Sequence, residues 1–145
     1  MVVTPVFQTS NGRRALAFAV PVMRDGDVAY GLAAVYDTQL LAKALEMVAF
    51  EGKGLTSIIQ ADGTYVVRSM PYGEGADSGN FYAPGRMQFE DGYSLKQIKE
   101  EIARGKSGFF AFSTPGGMDH YAYYLPMGFN DWTVVTMADV YKRQR

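Results

Sequence analysis

The chain has 145 residues, enough for one domain or for one domain with a piece of another. It is 48% apolar and 14% aromatic, which supplies a core and excludes wholesale disorder, while a formal net charge of −1 gives no electrostatic basis for nucleic-acid binding. It contains no cysteine, so disulfides, thiol catalysis and the usual zinc fingers are excluded.

Ten Tyr and nine Phe against one Trp point to an aromatic-rich β-sheet rather than a helical bundle. No run of about eighteen apolar residues, the length a bilayer-spanning helix needs, occurs. No signal-peptide pattern stands in "MVVTPVFQTSNGRR".

Residues 1–36 read as three strands: Met1 to Phe7, Ala15 to Val22 and Val28 to Tyr36, with "TSNGRR" and Asp25-Gly26 as turns. Asp37 stands at a helix N-cap, where its carboxylate can accept from the unpaired N–H groups of the first turn. Behind it Leu40, Leu41, Ala44, Leu45, Met47 and Val48 recur at helical spacing, and "GKG" at 52–54 ends that helix.

"GKGLTSIIQADGTYVVRSM" is a hairpin centred on Asp62-Gly63, a pair suited to a two-residue type I′ turn with φ > 0 at both positions. That register sets Ile59 opposite Val66 and Ser57 opposite Arg68 on one side of the pair. Thr56, Ile58, Gln60, Tyr65 and Val67 fall on the other.

Residues 69–92 read as a long loop, a feature that in a compact domain usually marks function or mobility. "SLKQIKEEIARG" then gives a helix, with Ser94 and Gln97 at capping-box spacing, Leu95, Ile98 and Ile102 on one face, and Gly105 at its end. Strands Gly108 to Ser113, Met118 to Leu125 and Trp132 to Met137 follow, joined by "TPGG" and "GFND". The order predicts an α+β fold, one antiparallel sheet backed by helices.

"AFAVPVMRDGDVAYGLAAVYD" and "AYYLPMGFNDWTVVTMAD" share a pattern: strand, apolar-Pro-apolar, polar turn, strand, small residue, aspartate. If the second copy closes a five-stranded unit, the first closes an earlier unit whose front is missing, and Met1 need not be a natural start. An exposed apolar edge would then follow. The alternative places all eight strands in one sheet or barrel.

For Arg68 two readings stand. It is a donor fork at the rim of a cavity, suited to a carboxylate, or a strand-end arginine in solvent or paired with Glu74 or Asp77. Tyr121 and Tyr123 share one face of "HYAYYL", with His120, Ala122 and Tyr124 on the other. Such aromatics line either a small-ligand pocket or a packed sheet. Trp132 reads as core.

His120 is the only histidine and forms no Ser-His or Cys-His pair; axial ligation of haem is the weakest reading open to it. The glycines at 73, 75, 79 and 85 lack the strand-to-helix context of a phosphate loop. Asp37, Asp62, Asp91 and Asp119 read as caps and turns. No enzyme and no cofactor is expected.

"VPVMRDGDVAYGLAAVYDTQLL", "GKGLTSIIQADGTYVVRS" and "HYAYYLPMGFNDWTVV", taken in order, resemble the double Cache family, the PAS-like extracytoplasmic sensor domains of bacterial membrane receptors. The resemblance covers roughly residues 15 to 138. It is especially close to the sensor halves of diguanylate cyclases and histidine kinases.

It implies that residues 1–36 are the C-terminal strands of a truncated membrane-distal module, 37–50 a connecting helix and 51–138 the whole membrane-proximal module. Residues 139–145, with "VYKRQR", read as a non-native tail. Flanking membrane helices, a cytoplasmic output domain, a homodimer and a small organic ligand, a carboxylate or an amino acid, are likewise implied. The candidate ligand-binding residues are Ser57, Tyr65, Arg68, Tyr82, Tyr121 and Tyr123. Many family members also hold an amino acid with an aspartate late in the distal module's last strand. That position falls here on Tyr36, one residue before Asp37.

Overall fold

A computed structural model describes residues 1–45, 54–68 and 79–140, which form two antiparallel sheets. The eight strands are therefore not one sheet or barrel. In the first sheet, β3 (Arg14–Arg24) and β4 (Asp27–Asp37) form a long hairpin. Asp25 and Gly26 at its tip both have positive φ, +52° and +91°, the type I′ geometry that Asp-Gly suits.

The strand expected over Met1 to Phe7 is instead two short pieces, β1 (Val2–Val3) and β2 (Phe7–Gln8), both on the free edge of β3. Pro5 lies between them and has no N–H to continue the ladder. Among the described residues, β4 on the opposite edge pairs only with β3. Its Val28, Tyr30, Leu32 and Val35 are each at least 60% exposed, the apolar edge anticipated above.

The chain then enters α1 (Thr38–Ala44), where Asp37 Oδ1 accepts from Gln39 N at 2.8 Å. Leu41, Ala42 and Leu45 turn inward, whereas Leu40 is exposed. The rest of the expected helix, to Phe50, lies outside the described residues, as do residues 141–145 of the tail expected over 139–145.

The second sheet has the order β6-β5-β10-β9-β8-β7. Its strands are β5 (Gly54–Ile59), β6 (Tyr65–Arg68), β7 (Gln88–Phe89), β8 (Gly108–Ser113), β9 (Asp119–Pro126) and β10 (Thr133–Asp139). The expected five are present, with one addition. The stretch read as loop contributes β7, a two-residue edge against Phe112 and Ser113. The two copies of the repeat are the hairpins β3–β4 and β9–β10.

Over one face lies α2 (Leu95–Ala103). Ser94 Oγ accepts from Gln97 N at 3.2 Å, the cap half of the box, and the Gln97 side-chain amide donates onward to Glu101 Oε1 at 3.3 Å. Gly105 (φ +65°) ends the helix, with its N–H on Ile102 O and that of Lys106 on Glu101 O.

At Asp62-Gly63 the expected turn gives way to another. Only Gly63 has positive φ (+86°), and Gly63 N donates to Gln60 O while Gln60 N donates to Thr64 O. This is a three-residue loop with a G1 bulge, which moves the register by one and pairs Ile59 with Tyr65, not Val66. A bulge at Val66 moves it back, so Ser57 still faces Arg68. As a result Tyr65 joins the side of Ile59, opposite to the expected one, and Val66 points with Ile58 and Val67 to the other.

Two cores result. On the α2 side Ile59, Tyr65, Phe81, Tyr82, Phe110, Phe112, Tyr124 and Val135 pack with Ile98 and Ile102. On the opposite side Val3 and Leu16 of the first sheet meet Ile58, Val66, Val67 and Trp132 of the second. Trp132 is core, as expected. Asn130 Nδ2 to Val3 O (3.3 Å) and Arg14 Nη2 to Tyr65 O (2.8 Å) tie the sheets together across this seam.

Candidate functional site

The six candidate residues divide between the two faces of the second sheet. Ser57, Tyr65 and Tyr82 lie in or beside the core on the α2 side. The segment after residue 78 closes over them: Thr64 bridges to Asn80, Phe81 N donates to Gly63 O at 2.7 Å, and the Asn80 amide donates to Asp62 O at 2.9 Å. Phe81 thereby sits edge-on to Tyr65 and Tyr82, with ring centroids 6.3 and 5.5 Å apart. Among the described residues, the concave face expected to hold a ligand is filled by the chain's own rings.

Tyr121 and Tyr123 stand on the opposite face, about half exposed, because strict alternation along β9 buries His120, Ala122 and Tyr124 instead. Tyr121 lies against Phe109 (5.4 Å), which also meets Tyr93 (6.1 Å). The structure does not bring these two tyrosines to the other four residues.

Tyr65 gathers guanidinium groups. Arg14 donates to its carbonyl, Arg68 lies over its ring with the guanidinium carbon 4.8 Å from the centroid, and Arg86 is close to its phenol. Burial pushes the Tyr65 phenol up from 10.0, and the charges of Arg68 and Arg86 pull it partly back. Arg68 is partly buried; Glu74 and Asp77, its two expected partners, lie outside the described residues.

Arg68 also lines a cleft of about 350 Å³ between the two sheets. Val66 and Val67 belong to its wall on one side, and Arg13, Arg14, Asp37, Thr38 and Gln39 on the other. A smaller cavity of about 180 Å³ shares Arg13 and Asp37 with it. Sequence reasoning missed Arg13 and Arg14. The only available signal was the adjacent pair after "TSNG", and nothing local tells that it meets residues more than fifty positions later.

Inside the α2-side core, Tyr124 OH donates to Glu101. Burial, then this bond and the Glu101 charge, push the Tyr124 phenol well up, while the same bond is the main cause that lowers Glu101 below 4.5. Tyr82, whose OH is buried without a partner among the described residues, is pushed up to about 12 by burial and then by the Asp62 charge.

Tyrosines in the unfolded chain ionise near 10. Both raised phenols therefore contribute stability that is complete below about pH 10 and lost as the pH climbs through the folded values, near 12 for Tyr82. Glu101 acts at the other limit, its contribution lost as the pH falls below 4.5. The melting temperature should hold through neutral pH and fall steeply above about pH 10, with delayed phenolate absorbance. Ionisation of every tyrosine near 10 with the fold intact would contradict this.

His120, 1% exposed, stacks on Phe112 (5.0 Å) and has Nδ1 2.8 Å from Asp139 Oδ1. Among the described residues no group of three His, Cys, Asp or Glu side chains is placed to hold a metal, and no helix is long and apolar enough to cross a membrane.

No protein-family model matches the chain, and no curated protein matches it. Solved structures do. An extracellular domain assigned to a histidine kinase, mmHK1S-Z3, superposes with a TM-score of 0.63 at 16% identity, over 95% of this chain and 48% of the other. The periplasmic sensory domain of the Campylobacter jejuni chemoreceptor Tlp1 gives 0.61 at 19% identity, over 99% and 51%. The ligand-binding domain of the Pseudomonas fluorescens chemoreceptor CtaA, solved with L-leucine, gives 0.55 at 16%, over 95% and 53%. The chain thus has the α+β, Cache-type fold of these extracellular and periplasmic sensor domains and spans about half the length of each.

Proposed function

We propose that the chain is part of an extracytoplasmic ligand-sensing region of a bacterial membrane receptor. Residues 51–138 are its membrane-proximal module, 37–50 the connecting helix and 1–36 the last strands of a membrane-distal module. The observation that carries this reading is the shared fold, over nearly all of this chain and about half of each neighbour.

The exposed β4 edge supports the division. Leu16 and Phe18 begin a large-side-chain face of the β3–β4 hairpin inside the inter-sheet core, and Val20, Val22, Tyr30 and Leu32 continue it into solvent. The rest of a distal module would cover that strip. In the parent receptor, ligand binding shifts the population between two arrangements, and β10 passes the change to a membrane helix and a cytoplasmic output domain, a kinase, a diguanylate cyclase or a chemotaxis signalling helix. A homodimer fits this role.

A thermal-shift screen of amino acids, organic acids and amines against the chain tests the reading. At least one compound should raise the melting temperature in a saturable way. One observation favours a second reading, a ligand-free spacer that dimerises: the rings of Phe81 and Tyr82 fill the α2-side face. A flat screen together with concentration-dependent sedimentation would decide for the spacer.

A further inference from the structure

We propose that the tip of the β5–β6 hairpin couples the docking of the first sheet to the segment that covers the α2-side core. The coupling operates in the chain with or without a ligand and so goes beyond the sensing reading. It is carried by one small loop, residues 60–64, whose two flanks are held by different parts of the molecule.

On the seam side the holder is the turn between β9 and β10. Asp131 Oδ2 accepts from Ala61 N at 3.3 Å, and the neighbouring Asn130 donates through Nδ2 to Val3 O, also at 3.3 Å. Val3 belongs to β1 and is buried in the inter-sheet core with Trp132. Asn130 has φ +48°, the left-handed conformation that asparagine tolerates better than most residues. Met127 N donates to Trp132 O at 2.9 Å and closes this turn just before β10 begins at Thr133.

On the other side the holder is the covering segment. Asn80 Nδ2 donates to Asp62 O at 2.9 Å and Phe81 N to Gly63 O at 2.7 Å, while Asn80 Oδ1 accepts from Tyr82 N at 2.8 Å. Phe81 and Tyr82 then enter the α2-side core with Tyr65 and Phe110. A contiguous path therefore runs from Val3 through Asn130 and Asp131 to the loop, and from the loop through Asn80 to Phe81 and Tyr82. It joins the two cores around the end of the sheet.

The bond lengths decide which joint yields. N–H···O bonds are commonest at about 2.9–3.0 Å, so the covering segment grips the loop tightly and the seam side holds it loosely. A shift of the covering segment carries the loop with it and opens the Ala61–Asp131 contact. Coupling is reciprocal, so release of Asn130 from the first sheet weakens the seat of the covering segment by the same free energy. Both changes meet at the turn that starts β10.

The test follows amide exchange by NMR in the full 145-residue chain. Asn130→Gly removes the side-chain amide and keeps a residue that adopts positive φ; the position is exposed, so the variant folds. It should speed exchange of the Phe81 and Tyr82 N–H groups at least about fivefold, the lower end of ordinary coupling between sites. Asn80→Ala should in turn speed exchange of the Met127 N–H, on the far side of the loop, by a like factor. Gly105→Ala is the control, because it weakens the fold at the end of α2 without touching the path.

Unchanged exchange at Phe81 and Tyr82 in Asn130→Gly, or at Met127 in Asn80→Ala, overturns the proposal. So does an equal acceleration in Gly105→Ala, which would mark general loosening. Each of these results leaves the sensing reading standing.

Discussion

Phe110→Ala should lower the free energy of unfolding by about 3–5 kcal/mol, the range for an aromatic deleted from a core. Phe110 is completely buried in β8, and Phe81, Phe89, Phe112 and Tyr124 surround it with ring centroids 5.6 to 6.5 Å away. Those neighbours come from the covering segment, from β7, from β8 itself and from β9, so no single element can relax into the hole. Urea denaturation measures the loss, and an unchanged slope would show that the folded and unfolded states kept their compactness. A loss below about 1 kcal/mol would mean that the site collapses and that the aromatic cluster is not the centre of this core.

Gly63→Ala should cost about 2–5 kcal/mol from two separable causes. A side chain at φ +86° carries about 1–2 kcal/mol of backbone strain. A Cβ would also stand 2.6 Å from Asn80 Oδ1 and 2.8 Å from Cε2 of the Tyr82 ring, an overpacking worth about 1–3 kcal/mol. Gly105→Ala serves as the control, since Gly105 shares the positive φ (+65°) and has open space around it. The two variants should differ by the packing part alone. Equal losses would show that the covering segment yields freely over the hairpin tip.

The same glycine shows where sequence reasoning reached its limit. Asp-Gly occurs at 25–26 and at 62–63, and the dipeptide is compatible with both a type I′ turn and a G1 loop. The first pair forms the type I′ turn in a hairpin tip that no described residue covers. The second forms the longer loop beneath Asn80 and Tyr82, contacts that no local pattern announces. The element order, both helix caps and the even-odd division of β9 were legible, because each is set by neighbours within four residues.

Which face of β9 joins which face of the β5–β6 hairpin was not. That depends on β10 lying between β5 and β9, a non-local fact. For this reason Tyr121 and Tyr123 were grouped with Ser57 and Arg68 although the sheet separates them. Arg13 and Arg14 escaped notice for the same cause. Their cleft exists only once the first sheet docks on Val66 and Val67.

Finally, β10 is the last strand among the described residues and lies inside the second sheet, not at its rim. It is laced to β5 from Thr133 to Ala138 and to β9 from Thr133 to Asp139. A pull on the chain beyond Asp139 therefore loads both ladders in shear at once, whereas a rim strand could peel away bond by bond. Traction at that end is borne by the whole sheet, and a rearrangement within the sheet must in turn displace the end.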